Sequence, residues 1–512
     1  MLETGLGHTP RPAPRGQRSA LCDSHPTPRP TPHSLLLTNF FILLAVLALA
    51  GCNENSPPEQ KPAALPLAGL KLRLVVAGDP AIAAGVRQLR DQWNAETGSE
   101  LEVQETTPKE LLAADRLPGD AVICPSDLLA TLGERNLLAP VPAGLCHDDA
   151  GPWSEIFDLL RLREATWATR TLAVPLGAPV LCCYYRADLL EKLGRQPPRT
   201  WREYLDLAHE IQRQAGRKGP RWATIEPLGP GWAGLSLLAH AAPYAVHPDY
   251  YSTLFDIETM EPLVAGPPWV RALEELVEAA KLGPPEQLKH DPAAVRTAFW
   301  NGQCGLAVSW PTAARDAGAV AASPLSSESG SVRAGVAELP GSSEVYNVST
   351  KAWESRPDGA GAHVPLLGMA GRIGVVRGDL EPLDAAFHLL FWLSDTKWSP
   401  RVSARSPATT LFRRSQTESP RDWVEPRFPA ATADAYAHLT VRTLSQPQNL
   451  WALRLPGRAE YLAALDEAVR SSVRGLPPAK ALADAANRWR QITDRLGRKR
   501  QQAAYLHGLG LQ

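Results

Sequence analysis

The order of strand and helix signals between residues 71 and 140 constrains the fold more than any other feature. Residues 71–77 begin by alternating and then become fully apolar, as a strand does when it runs into a core. Gly78-Asp79-Pro80 follows, with Asp79 placed to cap a helix and Pro80 suited to its first turn. Ile82, Val86, Leu89 and Trp93 repeat at helical spacing, and Thr97-Gly98 ends the run. Leu101-Glu102-Val103-Gln104 resumes a strand. Ala121-Val122-Ile123-Cys124 is another, ending at Pro125-Ser126-Asp127, and a helix runs through Leu128, Leu129 and Leu132. Strand and helix alternating in this way predict a parallel α/β unit. Ligands of such sheets sit beyond the carboxyl ends of the strands, which makes the Gly78-Asp79 and Ser126-Asp127 loops candidate site segments.

Several chemistries lack their signatures. There is no GxGxxG after the first strand and no GxxxxGK[ST], so nucleotide cofactors are not indicated. No G-x-S-x-G elbow appears, and no pair of carboxylates stands out as acid and base. His240, His247 and His290 have no metal-ligand rhythm and read as surface or hydrogen-bonded histidines. The formal net charge of −1 gives no basic face for nucleic acid. The 15 tryptophans against nine phenylalanines suit a cleft that must be flat, apolar and hydrogen-bonding at once, although tryptophan is also ordinary core material.

Ahead of the α/β unit, residues 35–49 are nearly all apolar and are followed by Leu49-Ala50-Gly51-Cys52. The run falls short of the roughly 20 residues that cross a bilayer, and Asn39 interrupts it. Its ending matches the bacterial lipoprotein signal motif, in which the chain is cut before a cysteine whose thiolate takes a lipid. Residues 1–51 are then a leader and signal peptide, with Arg11, Arg15, Arg18 and Arg29 as an unusually long positive flank. Cys52 becomes the lipidated first residue of an extracytoplasmic protein, and the polar, proline-bearing residues 52–70 become a tether. About 460 residues remain, too many for one compact core. They carry Cys124, Cys146, Cys182, Cys183 and Cys304, an odd number that leaves at least one unpaired, and buried apolar thiols are the favoured reading.

Further along, Val180 to Tyr185 read as a strand, and a short helix through Asp188-Leu189-Leu190 stops at Gly194. Thr200 and Glu203 form a capping box before the face Trp201, Tyr204, Leu205, Ala208 and Ile211. Here the chain resembles the extracellular solute-binding proteins of ABC transporters, in the large group that includes maltose-binding protein. Tyr184-Tyr185, the short helix, and Pro198-Arg199-Thr200-Trp201-Arg202-Glu203-Tyr204 look like that group's Tyr-Tyr strand, helix and Pro-x-Thr-Trp-x-Glu. Trp93-Asn94-Ala95-Glu96-Thr97-Gly98 is similar to its first helix end, and Asp120-Ala121-Val122-Ile123 to its Pro-Asp-Val strand. The passage from Ala298 to Val308, the strand from Val336 to Pro340, the glycine-rich turn from His363 to Val376, the helix from Ala385 to Leu393 and the closing stripe from Ala479 to Leu496 follow in the group's order. Residues 317–331 read as a small, polar loop, and residues 400–450, rich in Arg, Ser and Pro, match poorly.

The resemblance implies a two-lobed periplasmic-binding-protein-like α/β fold with a hinge and an interlobe ligand cleft. Residues 71–185 would be mainly lobe 1, 186–365 mainly lobe 2, 366–499 a return to lobe 1 with C-terminal helices, and 500–512 a tail. It implies a monomer without cofactor that captures a small solute, a carbohydrate above all, and hands it to ABC permease subunits at a bacterial membrane. The candidate ligand residues are Asp79, Asp127, Tyr185, Trp232, Trp310, Gly371 and Arg372. Trp232 and Trp310, each in a Pro/Gly turn, are stacking platforms or pack a lobe interior, and Asp79 and Asp127 accept from hydroxyls or cap helices, capping being favoured for Asp79. Tyr185 donates at the cleft edge or lies in the core, Arg372 pairs with an acidic ligand or a neighbouring carboxylate, and Gly371 serves a tight turn or, as the resemblance implies, close backbone approach. Two other expectations stay open: a surface-anchored enzyme acting on glycans, and a scaffold or sensor that kept the fold without the cleft.

Overall fold

The computed structural model describes residues 65–146, 151–214, 219–314, 332–356, 361–381 and 383–511. Cys52, the leader and the 317–331 loop lie outside the described residues. The chain is already held at Leu67, whose amide donates to the Thr97 carbonyl (2.9 Å), so the expected tether gives way to structure before residue 71.

The first lobe forms as the sequence pattern dictates. Strand β1 (Lys71–Ala77) leads into helices α1 (Pro80–Arg87) and α2 (Arg90–Thr97), then strand β2 (Glu100–Thr106). Asp79 caps α1 by accepting from the Ile82 amide (3.1 Å), and Gly98 ends α2 at a φ of 76°, a left-handed turn that glycine adopts freely. Helix α3 (Pro108–Ala113) is opened by a Thr107/Glu110 capping box, and strand β3 (Ala121–Pro125) precedes α4 (Leu129–Glu134). A hairpin of β4 (Thr166–Trp167) and β5 (Arg170–Thr171) then leads to β6 (Val174–Pro175).

The second lobe opens with β7 (Cys182–Arg186), α5 (Ala187–Leu193), α6 (Trp201–Gln214), β8 (Trp222–Ile225), α7 (Ala233–Ala245) and α8 (Pro267–Lys281). It continues through α9 (Pro292–Trp300), β9 (Cys304–Ser309), β10 (Ala334–Glu338) and a hairpin of β11 (Glu344–Asn347) with β12 (Ala352–Ser355). The chain returns through β13 (Leu366–Leu367) to β14 (Arg372–Val376), α10 (Leu383–Ser394) and α11 (Ser399–Val402). It finishes with α12 (Ala430–Leu444), β15 (Leu450–Trp451), α13 (Arg458–Val473), α14 (Pro478–Leu496) and α15 (Arg498–Leu509).

Two main sheets result. The first has the order β2-β1-β3-β14-β6, with β1 parallel to both β2 and β3 and β14 antiparallel to its neighbours. The second, β10-β7-β9-β8, is mixed, since β7 runs against β10 and β9 while β8 runs with β9. β7 thus begins the second sheet at Cys182, inside the stretch assigned by resemblance to lobe 1. The chain passes between the sheets after β6, again through β13, and again before α12, which packs on β10. Trp93, Trp392 and Trp398 interlock beneath α10, with ring centroids 5.3 and 4.8 Å apart in sequence of contact.

Residues 500–509, expected to be tail, are helical in α15, which bridges the lobes. Its His507 meets Glu134 of α4 at 3.0 Å, while Tyr505 shares a hydrogen bond with Ser252 (2.9 Å). Among the described residues no helix is long and apolar enough to cross a membrane.

Helix α7 depends on a cap from far along the chain. The Asp466 carboxylate of α13 accepts from the amides of Gly231 (2.6 Å) and Gly234 (2.7 Å), at the helix end where a negative charge is favoured. Replacing Asp466 with Ala is expected to lower stability by about 1–3 kcal/mol in urea denaturation. An unchanged midpoint would show that the cap contributes nothing.

Candidate functional site

Three loops of the first lobe reach the same end of its sheet. β1 delivers Asp79, β3 delivers Ser126 and Asp127, and the entry to β14 delivers Gly371 and Arg372. The Ser126 amide donates to the Gly371 carbonyl (2.8 Å), and a Cβ on Gly371 would strike the Gly177 carbonyl and Ala178. Close backbone approach therefore does explain that glycine, and the neighbour it approaches is the chain itself.

Asp79 and Arg372 pair with each other. Arg372 Nε lies 2.7 Å from Asp79 Oδ2, which also accepts from Ser406 Oγ (2.5 Å), while Asp79 Oδ1 holds the helix cap. Of the partners expected for Arg372, the structure shows the neighbouring carboxylate. Asp79, 3% exposed, has both oxygens engaged within the protein.

The second lobe contributes the indoles. Trp310 follows β9, is buried, and donates from Nε1 to the Pro407 carbonyl (2.8 Å), one residue beyond Ser406. Trp232, half-buried at the start of α7, lies with its ring 5.5 Å from that of Trp310 at 40°. Arg296 lies with its guanidinium carbon 5.5 Å from the Trp310 ring centroid. Through Ser406–Pro407 and Ser126, a chain of contacts and adjacent residues links Trp232, Trp310, Asp79, Arg372, Gly371 and Asp127.

Tyr185 stands apart. In the ladder Cys182 faces Ser309 and Tyr185 faces Leu306, so Tyr185 sits about 10 Å farther along the sheet from the Trp310 end. Its ring instead covers Gly335, where a Cβ has no room.

The structure adds residues that no local pattern marks. Arg458, at the start of α13, donates to Asp127 Oδ2 (2.9 Å) and to the Gly368 carbonyl (3.1 Å). Glu164 is buried and takes a 2.5 Å hydrogen bond from Ser126 Oγ. Arg454 clasps the carbonyls of Arg163 (2.6 Å) and Thr166 (2.9 Å). Asp127 Oδ1, Glu164 Oε2 and Arg458 Nε are buried without a hydrogen-bond partner. Two carboxyl oxygens and one guanidinium N–H left open are groups that hydroxyls can complete. The only sequence signal for these residues is weak: charged side chains standing among apolar neighbours.

A second, largely buried carboxyl, that of Glu425, lies near Arg296, its side chain 14% exposed. Glu425 accepts from the Thr312 amide (3.2 Å) and the Tyr184 hydroxyl (3.3 Å), with Arg296 at 3.9 Å. Burial pushes both Glu425 and Glu164 up to about 7, against the pull of Arg296 on the first and of Ser126 and Arg454 on the second. Cys124, Cys182, Cys183 and Cys304 are buried free thiols. Burial pushes Cys124 up to about 12 and raises Cys182, Cys183 and Cys304 as well, so they are poor nucleophiles. His240 is buried against Glu226 (2.8 Å), His247 meets Glu354 (3.1 Å), and burial lowers His290. No metal-holding cluster of His, Cys, Asp and Glu occurs among the described residues.

A family model described as bacterial extracellular solute-binding protein matches residues 79–345, just over half of the 512-residue chain. Among solved structures, an ABC transporter solute-binding protein of Agrobacterium radiobacter K84 in complex with ribitol is 17% identical with a TM-score of 0.60, over 83% of this chain and 100% of that one. A maltose-bound MalE3 of T. maritima gives 17% and 0.59 over 83% and 100%. The sugar-binding protein MalE of Xanthomonas citri gives 18% and 0.60 over 83% and 98%. At such identities the likeness establishes the fold, which is the two-lobed periplasmic-binding-protein arrangement.

The two raised carboxyls set a pH dependence. A carboxyl whose folded pKa is raised contributes stability that is complete at acid pH and is lost as pH climbs through its folded value, here about 7. Unfolding by urea should therefore show stability falling from pH 5 toward pH 8, by on the order of 2 kcal/mol for each group. Glu425→Gln should flatten its share of the slope, and an unaltered slope would remove Glu425 from the account.

Proposed function

Since the chain belongs to the bacterial extracellular solute-binding protein family, we propose that it is the lipid-anchored capture subunit of an ABC importer for a sugar or polyol. Three considerations support this. The family is one of binding proteins, and solved relatives hold ribitol, maltose and D-mannitol. The run of contacts from Trp232 to Asp127 joins the second lobe to the first, and the open oxygens of Asp127 and Glu164 and the open Nε of Arg458 are groups that hydroxyls can satisfy. The leader ends at Leu49-Ala50-Gly51-Cys52, which offers Cys52 for lipid.

The first of these observations to matter physically is the paired indoles. Ring faces of a sugar stack on Trp232 and Trp310, while Asp127, Glu164 and Arg458 fix orientation through hydroxyls. Contacts drawn from both lobes form together only when the lobes are shut, so binding and closure are linked. The closed form is then what a permease reads. A lipid on Cys52 would keep the protein near that permease at high effective concentration.

Maltose, ribitol and mannitol, offered in a thermal-shift series, are expected to include one that raises the Tm, because a ligand that binds only the folded state stabilises it by mass action. Trp310→Ala should weaken that ligand by about tenfold or more while leaving the unliganded Tm within a few degrees. A shift produced only by another solute class would sink the carbohydrate assignment. For the anchor, Cys52→Ser is expected to move the protein from the membrane fraction to the soluble one; retention on membranes would rule out lipid at that residue.

A further inference from the structure

Helix α15 is hard to explain as part of either core. Of its 12 residues only Gln501, Ala504 and Tyr505 are buried. A helix of this length is marginal by itself in water, so its contacts hold it in place. Those contacts fall into two sets. Most of the helix sits on the loop between α7 and α8, in the second lobe. Arg498 Nη1 donates to the Thr259 carbonyl (2.5 Å), and Gln502 Nε2 donates to the carbonyls of Ile257 (2.7 Å) and Glu258 (3.0 Å). The Tyr505 hydroxyl shares a hydrogen bond with Ser252 Oγ, and its ring centroid lies 5.3 Å from that of Phe255.

The last turn belongs to the other lobe. His507 Nδ1 meets Glu134 Oε1 of α4 (3.0 Å), an oxygen that also accepts from Trp167 Nε1 (3.1 Å). The His507 ring stands edge-on to that of Trp167, with centroids 5.9 Å apart. Arg163 Nη1 donates to the Leu509 carbonyl (3.2 Å), at the helix end where a cation is favoured. Gly508 lies against the segment that follows β15, where an added Cβ would come within 3.2 Å of the Arg454 carbonyl. β15 itself pairs with β13, which lies on a pass between the lobes. The grip on the first lobe is the lighter of the two. His507 and Glu134 keep 35% and 22% of their side chains exposed, so water competes for their contact.

We propose that α15 is a strap across the lobes: its seat on the loop of residues 252–259 carries it with the second lobe, and its last turn holds the first lobe through Glu134, Trp167 and Arg163, limiting how far the two swing apart. On the reading that the lobes open and close around a solute, on which this role rests, the strap sets the resting opening. A light grip can break and re-form as the lobes move. With the grip intact, wide-open arrangements are rare and more of the unliganded protein stands close to the shut form. The apparent affinity for a solute rises with that fraction.

Small-angle X-ray scattering of the full chain, with and without maltose, ribitol or mannitol, tests this. Two variants loosen the grip: His507→Ala alone, and His507→Ala with Arg163→Gln. Without ligand each is expected to have a larger radius of gyration than the unaltered chain, the double variant the more so, with the Tm within a few degrees. For whichever solute binds, the double variant should weaken the apparent affinity by about threefold or more. Ending the chain at Gly497 removes the strap outright, and if that shorter chain fails to fold the side-chain variants still decide. A radius unchanged in both variants would overturn the strap. If the unaltered chain contracts on binding and the variants match it throughout, the closing reading stands and the strap alone is removed. If the variants swell but none of the three solutes contracts the unaltered chain, the strap stands and these solutes are not its ligands.

Discussion

The ion pair between Arg372 and Asp79 holds the first lobe's working end together. It joins residues 293 apart in sequence, and Ser406 closes the set from a third pass of the chain. Each partner is nearly sealed from water, with side chains 10% and 2% exposed. Removing one member of such a pair strands the other, at a cost of about 3–5 kcal/mol. Asp79 also caps α1, so the same carboxylate fixes a helix start, a strand entry and the segment carrying Pro407. The Trp310 indole donates to the Pro407 carbonyl of that segment, so the second lobe's indole pair is tied to the first lobe through the segment that this buried charge holds.

Polar groups at the meeting of the lobes divide into two kinds. Asp79, Arg372 and Ser406 satisfy one another and act as framework. Asp127, Glu164 and Arg458 are partly satisfied: each carboxylate has one oxygen engaged and one left open, and Arg458 has two nitrogens engaged with Nε left open. A buried polar atom without a partner is unfavourable, and groups of this kind gather where a ligand completes them. The division follows from geometry rather than residue type, since an aspartate and an arginine fall on each side of it.

The first lobe was legible because its signals are local. Alternation in β1, the Asp79-Pro80 cap and the Thr97-Gly98 stop each lie within a few residues of what they determine. Residues 400–450 resisted because their structure is made by distant side chains. Arg413, 1% exposed, donates to the carbonyls of Pro152 and Ser394, and Gln416 accepts from the Phe412 amide, so short turns stand where no periodicity could show. The start of β7 at Cys182 and the helix α15 were hidden for a similar reason, since an apolar run does not say which sheet it joins and α15 is fixed by both lobes. Among the candidate ligand residues, Asp127 and Trp310 do stand just past β3 and β9, and Trp232 stands at the head of α7. Loop position could not reveal that Asp79 and Arg372 would neutralise each other, nor that Glu164 and Arg458 would arrive from elsewhere.

The place of β14 in the first sheet has a kinetic consequence. It lies between β3 and β6, yet it is made of residues 372–376, so the sheet stays split until nearly three-quarters of the chain exists. The second lobe waits still longer, for α12 and α13 to cover β10 and α7. Contacts so far apart in sequence fold slowly, because the loop between them must be closed before they yield any stabilisation. The first sheet is not complete, and the second is not covered, until these late segments arrive. A chain with this wiring remains pliable through most of its synthesis, which is the condition a protein needs if it is to be threaded through a narrow export pore and take its shape on the far side.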